Sequence, residues 1–357
     1  MTSRAAVGLV LAATVACTGT PERPSTARAP APTSPPAAAP SPPPHDAGVT
    51  DAEVVVDAAP PAAPAPALLV PAAPARFAPP HARTAAPDDG SWTTVASHDG
   101  AAMLYQSTVH PSPTKGQAKV AVVAVDLARV AFRLVAGTRE PVGPPNVQIA
   151  RPGVVPLDEH AVLLAVTNGG WRSEHGHFGM RVGADTIAPA KPGACTVGLT
   201  ASGGLTVAPW EEIAPKESTL AAWRQTPACL AHRGALHPAL VRETMTRNWG
   251  AAVDGGVEIP RTALGVDATG RYAFFGLGEG TSAKALADGL LAAGAFSVAE
   301  LDINWSYTRF FLYEKPTPES AVAIVRSIGT KGQHPPRSYL DKSSERDFFY
   351  LVRKTAP

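Results

Sequence analysis

The chain has 357 residues and a net charge of +1, and half of its 38 prolines precede Gly90. A near-neutral chain excludes recognition driven by bulk charge, so neither nucleic acid nor an acidic membrane surface is an expected partner. Charged residues make up 17% and apolar residues 45%. That balance suits a compact domain behind an Ala/Pro-rich tail, and no apolar run reaches the roughly 18 residues of a membrane span.

Met1 to Ala16 reads as an export signal. Arg4 supplies a positive start, and Val7, Leu9, Val10 and Leu11 centre a short apolar stretch. Thr14-Val15-Ala16-Cys17 resembles a bacterial lipoprotein signal, in which the cysteine thiol carries a diacylglyceryl group; a plain secretory signal cleaved near Ala16 is the alternative. Thr14 stands where such signals prefer Leu. Residues 1–16 are thus expected to be a signal peptide, Cys17 a lipidation site, and 17–90 a disordered Pro/Ala-rich linker. Runs such as Pro42-Pro43-Pro44 favour extended polyproline geometry, about 3.1 Å per residue, and make that linker a stiff tether. The expected location is outside the cytoplasm: anchored by lipid and facing the periplasm or cell exterior, or else secreted. Contact with the membrane is expected through that anchor only.

Residues 91–357 are expected to form a single domain. Val120 to Val125 and Val130 to Leu134 read as a hairpin or two consecutive strands, and Ala161–Val166 as a buried strand ending in Thr167-Asn168-Gly169-Gly170. Thr196–Leu199 and Leu205–Val207 flank the turn Ser202-Gly203-Gly204. Thr262–Val266 and Tyr272–Leu277 bracket Asp267-Ala268-Thr269-Gly270 as a hairpin. A helix follows, capped by Thr281 or Ser282, with Leu286, Leu290 and Leu291 in its apolar stripe and Gly294 as its stop. Phe296–Ile303 returns as a strand. A second helix is expected from Thr317 and Pro318 through Val322, Ile324 and Val325 to Gly329. Strands with a few late helices predict an α+β domain with a mixed sheet.

Three segments together resemble the phosphodiester glycosidase family, the domain of the lysosomal uncovering enzyme and of many bacterial proteins. They are Asn168-Gly169-Gly170-Trp171, Pro260-Arg261-Thr262-Ala263-Leu264-Gly265-Val266, and Leu286-Ala287 with Gly294-Ala295 and Leu301-Asp302. Their order and spacing agree over roughly residues 119–313. The family continues Leu-Asp-Gly-Gly-Gly-Ser, whereas this chain reads Leu301-Asp302-Ile303-Asn304-Trp305-Ser306. The aspartate and serine match in place and the glycines are replaced by residues carrying Cβ atoms.

The resemblance implies hydrolysis of a glycosyl phosphodiester, the bond between a sugar's anomeric carbon and phosphate, with a glycan or sugar phosphodiester as partner. Such a site needs charge stabilisation on phosphate and a carboxylate for the cationic sugar centre or for water. Arg261 is the phosphate candidate, because a guanidinium fork matches phosphate oxygens in pairs. Asp302 is the carboxylate candidate, a charge at the end of an apolar strand. Glu300 and Asn304 share its strand face by alternation, and Glu300, about 7 Å away along the strand, is the second catalytic carboxylate, one of the two serving as acid and the other as base or stabiliser. Asn168, Gly169 and Gly170 would position the sugar, with Trp171, Trp305 and Tyr307 as aromatic platforms. His177 is a proton-transfer or phosphate contact beside Glu174 and His175. His-x-His has no third or fourth ligand at a recognisable spacing, so no metal and no cofactor is expected. Cys195 and Cys229 favour a disulfide in an exported chain over two buried thiols. A monomer is expected. Because the glycine triplet is missing, the alternative is a catalytically inactive glycan- or phosphosugar-binding module of the same fold, and after it a surface scaffold without a small ligand.

Overall fold

A computed structural model describes residues 73–145, 149–303, 306–315, 317, 319–329 and 334–355. The expected signal, Cys17, most of the linker, Asn304 and Trp305 lie outside the described residues. No helix among the described residues is long and apolar enough to cross a membrane.

In chain order the strands begin with β1 (Thr93–His98), β2 (Ala101–Val109), β3 (Val120–Asp126), β4 (Val130–Val135) and β5 (Leu163–Asn168). Then come β6 (Met180–Val182), β7 (Asp185–Ala188), β8 (Cys195–Thr200), β9 (Leu205–Pro209), the short helix α1 (Trp210–Ile213) and β10 (Leu220–Thr226). After them lie β11 (Ala231–His232), β12 (Ala235–Leu236), α2 (Pro238–Val241), β13 (Ile259–Val266), β14 (Tyr272–Thr281) and α3 (Ala283–Ala292). The chain closes with β15 (Ser297–Ile303), β16 (Phe310–Glu314), β17 (Ala323–Ile328) and β18 (Phe348–Arg353).

These strands build three sheets. The first runs β1-β2-β3-β14-β13-β15-β11-β12, the second β7-β6-β10-β8-β9, and the third β17-β16-β5-β18-β4. Every ladder within them is antiparallel, so the expected mixed sheet is not observed. Pairs such as β1–β2, β6–β7, β8–β9 and β13–β14 are adjacent in sequence and need no crossover, which parallel pairing would demand. One apolar core joins residues of all three sheets, among them Val123, Phe275, Leu301, Phe310, Phe349 and Val197. A second cluster packs α3 through Leu286 and Leu290 against the other face of the first sheet.

Local signals place most of these elements. The β13–β14 hairpin forms around Asp267, whose Oδ1 accepts the Tyr272 amide at 3.1 Å. Ser282 caps α3, accepting the Ala285 amide at 3.1 Å. Gly294 ends α3 with φ +110, a conformation that favours glycine. β8 and β9 pair across the Gly203 turn.

Of the two readings of Val120 to Leu134, consecutive strands hold and the hairpin does not, because β3 joins the first sheet and β4 the third. The buried Asp126 carboxylate sits at the switch and accepts from Arg271 at 2.8 Å. The helix expected over Thr317–Gly329 is instead strand β17, paired antiparallel with β16. Ile324, Val325 and Ile328 are β-branched, and an edge position beside β16 outweighs their partial helical spacing. Residues 73–90, expected as the end of the linker, pack onto the domain. The Phe77 and Trp92 rings lie 5.5 Å apart, Trp92 Nε1 donates to Ala75 O at 3.0 Å, and buried Asp89 accepts the His110 amide at 3.0 Å. Two aromatics and one caped carboxylate outweigh the surrounding prolines.

Cys195 and Cys229 form a disulfide, with Cα atoms 4.7 Å apart and 34 residues of separation. It fastens β8 to the segment following β10. Replacing both cysteines by alanine is expected to cost about 3–4 kcal/mol by the loop-entropy relation. Chemical denaturation of the double variant measures it, and a cost under about 1 kcal/mol would assign the bridge little role in stability.

Candidate active site

The three segments that carry the family resemblance meet at one place. Thr262 links them: its hydroxyl donates to Asp302 O at 2.7 Å and accepts from Asn168 Nδ2 at 2.8 Å. The Asp302 amide donates in turn to Gly169 O at 2.9 Å. Asn168 Oδ1 accepts the Arg309 amide at 3.1 Å. Buried Asn168 therefore spends its side chain inside the protein, tying the first sheet to the third, and is a strut rather than a sugar contact.

Gly169 and Gly170 also serve packing. A Cβ on Gly169 would fall 2.2 Å from Asp347 Oδ2, and one on Gly170 would fall 2.7 Å from Arg224 Cζ. Both glycines admit a buried ion pair. Arg224 and Asp347 are fully buried side chains joined at 2.9 Å. The same carboxylate accepts the Gly170 amide at 2.8 Å. Arg224 then reaches Trp171 O at 2.6 Å, Phe178 O at 3.0 Å and Gln225 O at 2.9 Å. This pair sets the path of the loop 171–179.

Beyond that loop opens a cavity of about 420 Å³ lined by Asp302, Arg346, Tyr307, Trp171, His175 and Arg172, with Gly250 and Ala251 on one wall. Trp171 donates through Nε1 to Leu301 O at 2.9 Å and meets His175 edge-on at 6.4 Å. Asp302, 6% exposed, pairs with the buried Arg346 guanidinium and accepts the Ile303 amide at 2.9 Å. Arg346 lies 4.3 Å over the Tyr307 ring, and its Nε has no hydrogen-bond partner among the described residues. Burial pushes the Asp302 carboxyl up to about 7, against the pull of Arg346.

Arg261 and Glu300 are placed differently from the expectation. Arg261 is fully buried and lies outside the cavity lining. Its Nε donates to Thr281 O at 3.0 Å, Nη1 to Trp249 O and to Glu300 Oε1, the latter at 2.6 Å, and Nη2 to Gly250 O at 2.8 Å and Val257 O at 2.9 Å. All five N–H donors are thus engaged within the protein, leaving none for phosphate in this arrangement. Glu300 is buried beside it. Burial raises its carboxyl to about 8, with Arg261 opposing. When Glu300 is protonated, the Arg261 charge still rests on four carbonyl oxygens.

The sign of that shift predicts a pH effect. A carboxyl whose pKa is raised by folding binds more protons in the native state, so its contribution is fully present below about 4.5 and lost as pH rises through about 8. Thermal unfolding of the parent is expected at lower temperature at pH 9 than at pH 5. Glu300→Gln, which keeps an acceptor for Arg261, should reduce that slope, the remainder coming from Asp302, whose carboxyl burial also raises, to about 7. An unchanged slope would remove Glu300 as its source.

His177 is exposed, with φ +51, and lies outside the cavity lining, where its neighbour His175 is found. Among the described residues no cluster of three or more His, Cys, Asp and Glu side chains is arranged to hold a metal ion. Tyr307, expected beside Trp171 as an aromatic platform, lines the cavity, and the residues missed by sequence reasoning are Arg346, Asp347, Arg224, Thr262 and Arg172. The available signal for two of them was the charged pair Arg346-Asp347 set directly before the apolar run Phe348-Phe349-Tyr350-Leu351-Val352.

No protein-family model matches the chain, and no curated protein matches it. Among solved structures it is similar to the zebrafish N-acetylglucosamine-1-phosphodiester alpha-N-acetylglucosaminidase catalytic domain auto-inhibited by its pro-peptide. That match has 15% identity over 74% of this chain and 88% of that one, with a TM-score of 0.44. A hypothetical protein from Synechocystis matches at 10% identity over 74% and 65% of the two chains, with a TM-score of 0.42. A protein of Burkholderia pseudomallei described as exported matches at 13% identity over 66% and 74%, with a TM-score of 0.31. At these values the likeness carries no argument, and the chemistry rests on the residues themselves.

Proposed function

We propose that the cavity hydrolyses a glycosyl phosphodiester. The observation that carries this reading is the Asp302–Arg346 pair in the cavity wall: a carboxyl raised to about 7 beside a guanidinium whose buried Nε has no hydrogen-bond partner among the described residues. The segments resembling the phosphodiester glycosidase family support it, since Asn168, Thr262 and Asp302 are joined by hydrogen bonds. Arg346 and the half-exposed Arg172 would hold the anionic phosphate. The Trp171 and Tyr307 rings would flank the sugar. Ionised Asp302 would take a proton from water as that water attacks the anomeric carbon. The bond from that carbon to oxygen breaks, and its electron pair leaves with the phosphate, which needs little protonation to depart.

One observation favours the second reading, a binding module without turnover. Glu300, the second expected carboxylate, is locked to Arg261 away from the cavity, so Asp302 is the one carboxyl among the lining residues. Turnover of a panel of sugar-1-phosphodiesters by the full chain decides between them. Release of free sugar supports the hydrolase. Retention of a sugar phosphate without turnover supports the binding module. For placement, the lipid anchor at Cys17 is proposed from sequence, and Cys17→Ser should shift the protein from the membrane to the soluble fraction.

A further inference from the structure

Arg261 holds a loop, and the loop is a wall of the cavity. Its Nη2 donates to Gly250 O at 2.8 Å and to Val257 O at 2.9 Å. These are the two roots of the segment 250–257, so a single nitrogen draws both ends together. Nη1 adds Trp249 O, one residue ahead. Between the roots the chain folds on itself: the Ala252 amide donates to Gly256 O and the Gly255 amide to Ala252 O, each at 2.8 Å. Val253 projects fully into solvent at the tip, so the loop has little apolar packing of its own to fix it. At the inner root, Gly250 (φ +82) presses so closely on the site that a Cβ there would lie 2.1 Å from Ile303 Cδ1, next to Asp302. Gly250 and Ala251 then line the same cavity as Asp302 and Arg346.

We propose that Arg261 is a positioning residue that staples loop 250–257 as a fixed wall of the cavity over Asp302, with Glu300 holding the guanidinium in register. The catalytic consequence rests on the hydrolase reading, but the staple itself does not. A surface loop with a solvent-exposed tip ordinarily opens at little cost. Here a buried charge tied to three carbonyls of the segment 249–257 holds its ends, so opening must break several charge-assisted bonds at once.

Hydrogen exchange on the full-length parent is the first test, and it needs no variant. The Ala252 and Gly255 amides should exchange about 100-fold or more slowly than in a free peptide. Exchange at the free-peptide rate would overturn the staple. In Arg261→Lys, whose ammonium cannot span both roots and Glu300, exchange across 250–257 should rise about tenfold while amides of β5 stay protected. With a turned-over phosphodiester, KM should rise about fivefold and kcat should change less than about twofold. A fall in kcat with loop exchange unchanged would overturn the proposal, because it would place Arg261 on the reacting group. If the parent turns over no phosphodiester, the hydrolase reading fails and loop exchange still decides the staple.

Discussion

Replacing Asp347 by Asn is expected to destabilise the fold by about 3–5 kcal/mol, the cost of leaving one partner of a buried ion pair unpaired. Both oxygens of Asp347 are committed: Oδ2 to Arg224 Nε and the Gly170 amide, Oδ1 to Arg224 Nη2 at 3.3 Å. An amide would present an N–H group toward a guanidinium and leave a full positive charge in a dry interior. Arg224 also holds the carbonyls of Trp171, Phe178 and Gln225, so the loop beside the cavity would loosen with it. The double change Arg224→Met with Asp347→Leu tests the reasoning further. In many proteins a buried pair exchanged for apolar residues costs nothing. Here three carbonyls would lose their donor, so only part of the loss should return. Urea midpoints at constant slope measure both, and a shift for Asp347→Asn below about 1 kcal/mol would contradict the assignment.

On the proposed hydrolase reading, Asp302→Asn is expected to lower kcat by about 100-fold or more, the usual contribution of a positioned base. The pH profile gives the sharper reading. A base must be ionised, and Asp302 ionises near pH 7, so kcat/KM should rise with pH through about 7 and the rising limb should vanish in the variant. A rate that falls through the same region would assign Asp302 the acid role. Arg346→Ala adds a signed prediction. The guanidinium pulls the Asp302 pKa down, so its removal should move the limb to higher pH as well as weaken phosphate binding. A limb that stays in place would show that the two groups are not coupled.

Local chemistry made much of the fold legible. The β13–β14 hairpin announced itself through Asp267 and Gly270, α3 through Ser282 and Gly294, and the disulfide through the two cysteines left once Cys17 is assigned. The helical spacing of Val322, Ile324 and Val325 fits a strand equally well, and the pairing of β17 with β16 is a tertiary fact. The site divides in the same way. Asp302 was visible as a charge ending an apolar strand. Arg261 was visible as important but not in its role, because its partners are mostly backbone carbonyls, which carry no sequence signature. Arg224 was silent, and Arg346 and Asp347 showed only as a charged pair before an apolar strand: their Asp302, Arg224–Asp347 and Gly170 pairings span 44 to 177 residues.

The groups that fasten the site belong to different sheets. Arg224 stands on β10 of the second, Asn168 on β5 of the third and Thr262 on β13 of the first, and all of them are buried. The cavity rim is another population, with Arg172 and His175 reaching solvent. Fastening and recognition are thereby assigned to separate residues. A lineage carrying this chain can rewrite what the cavity accepts, one rim side chain at a time, without renegotiating the joints that hold its three sheets in place.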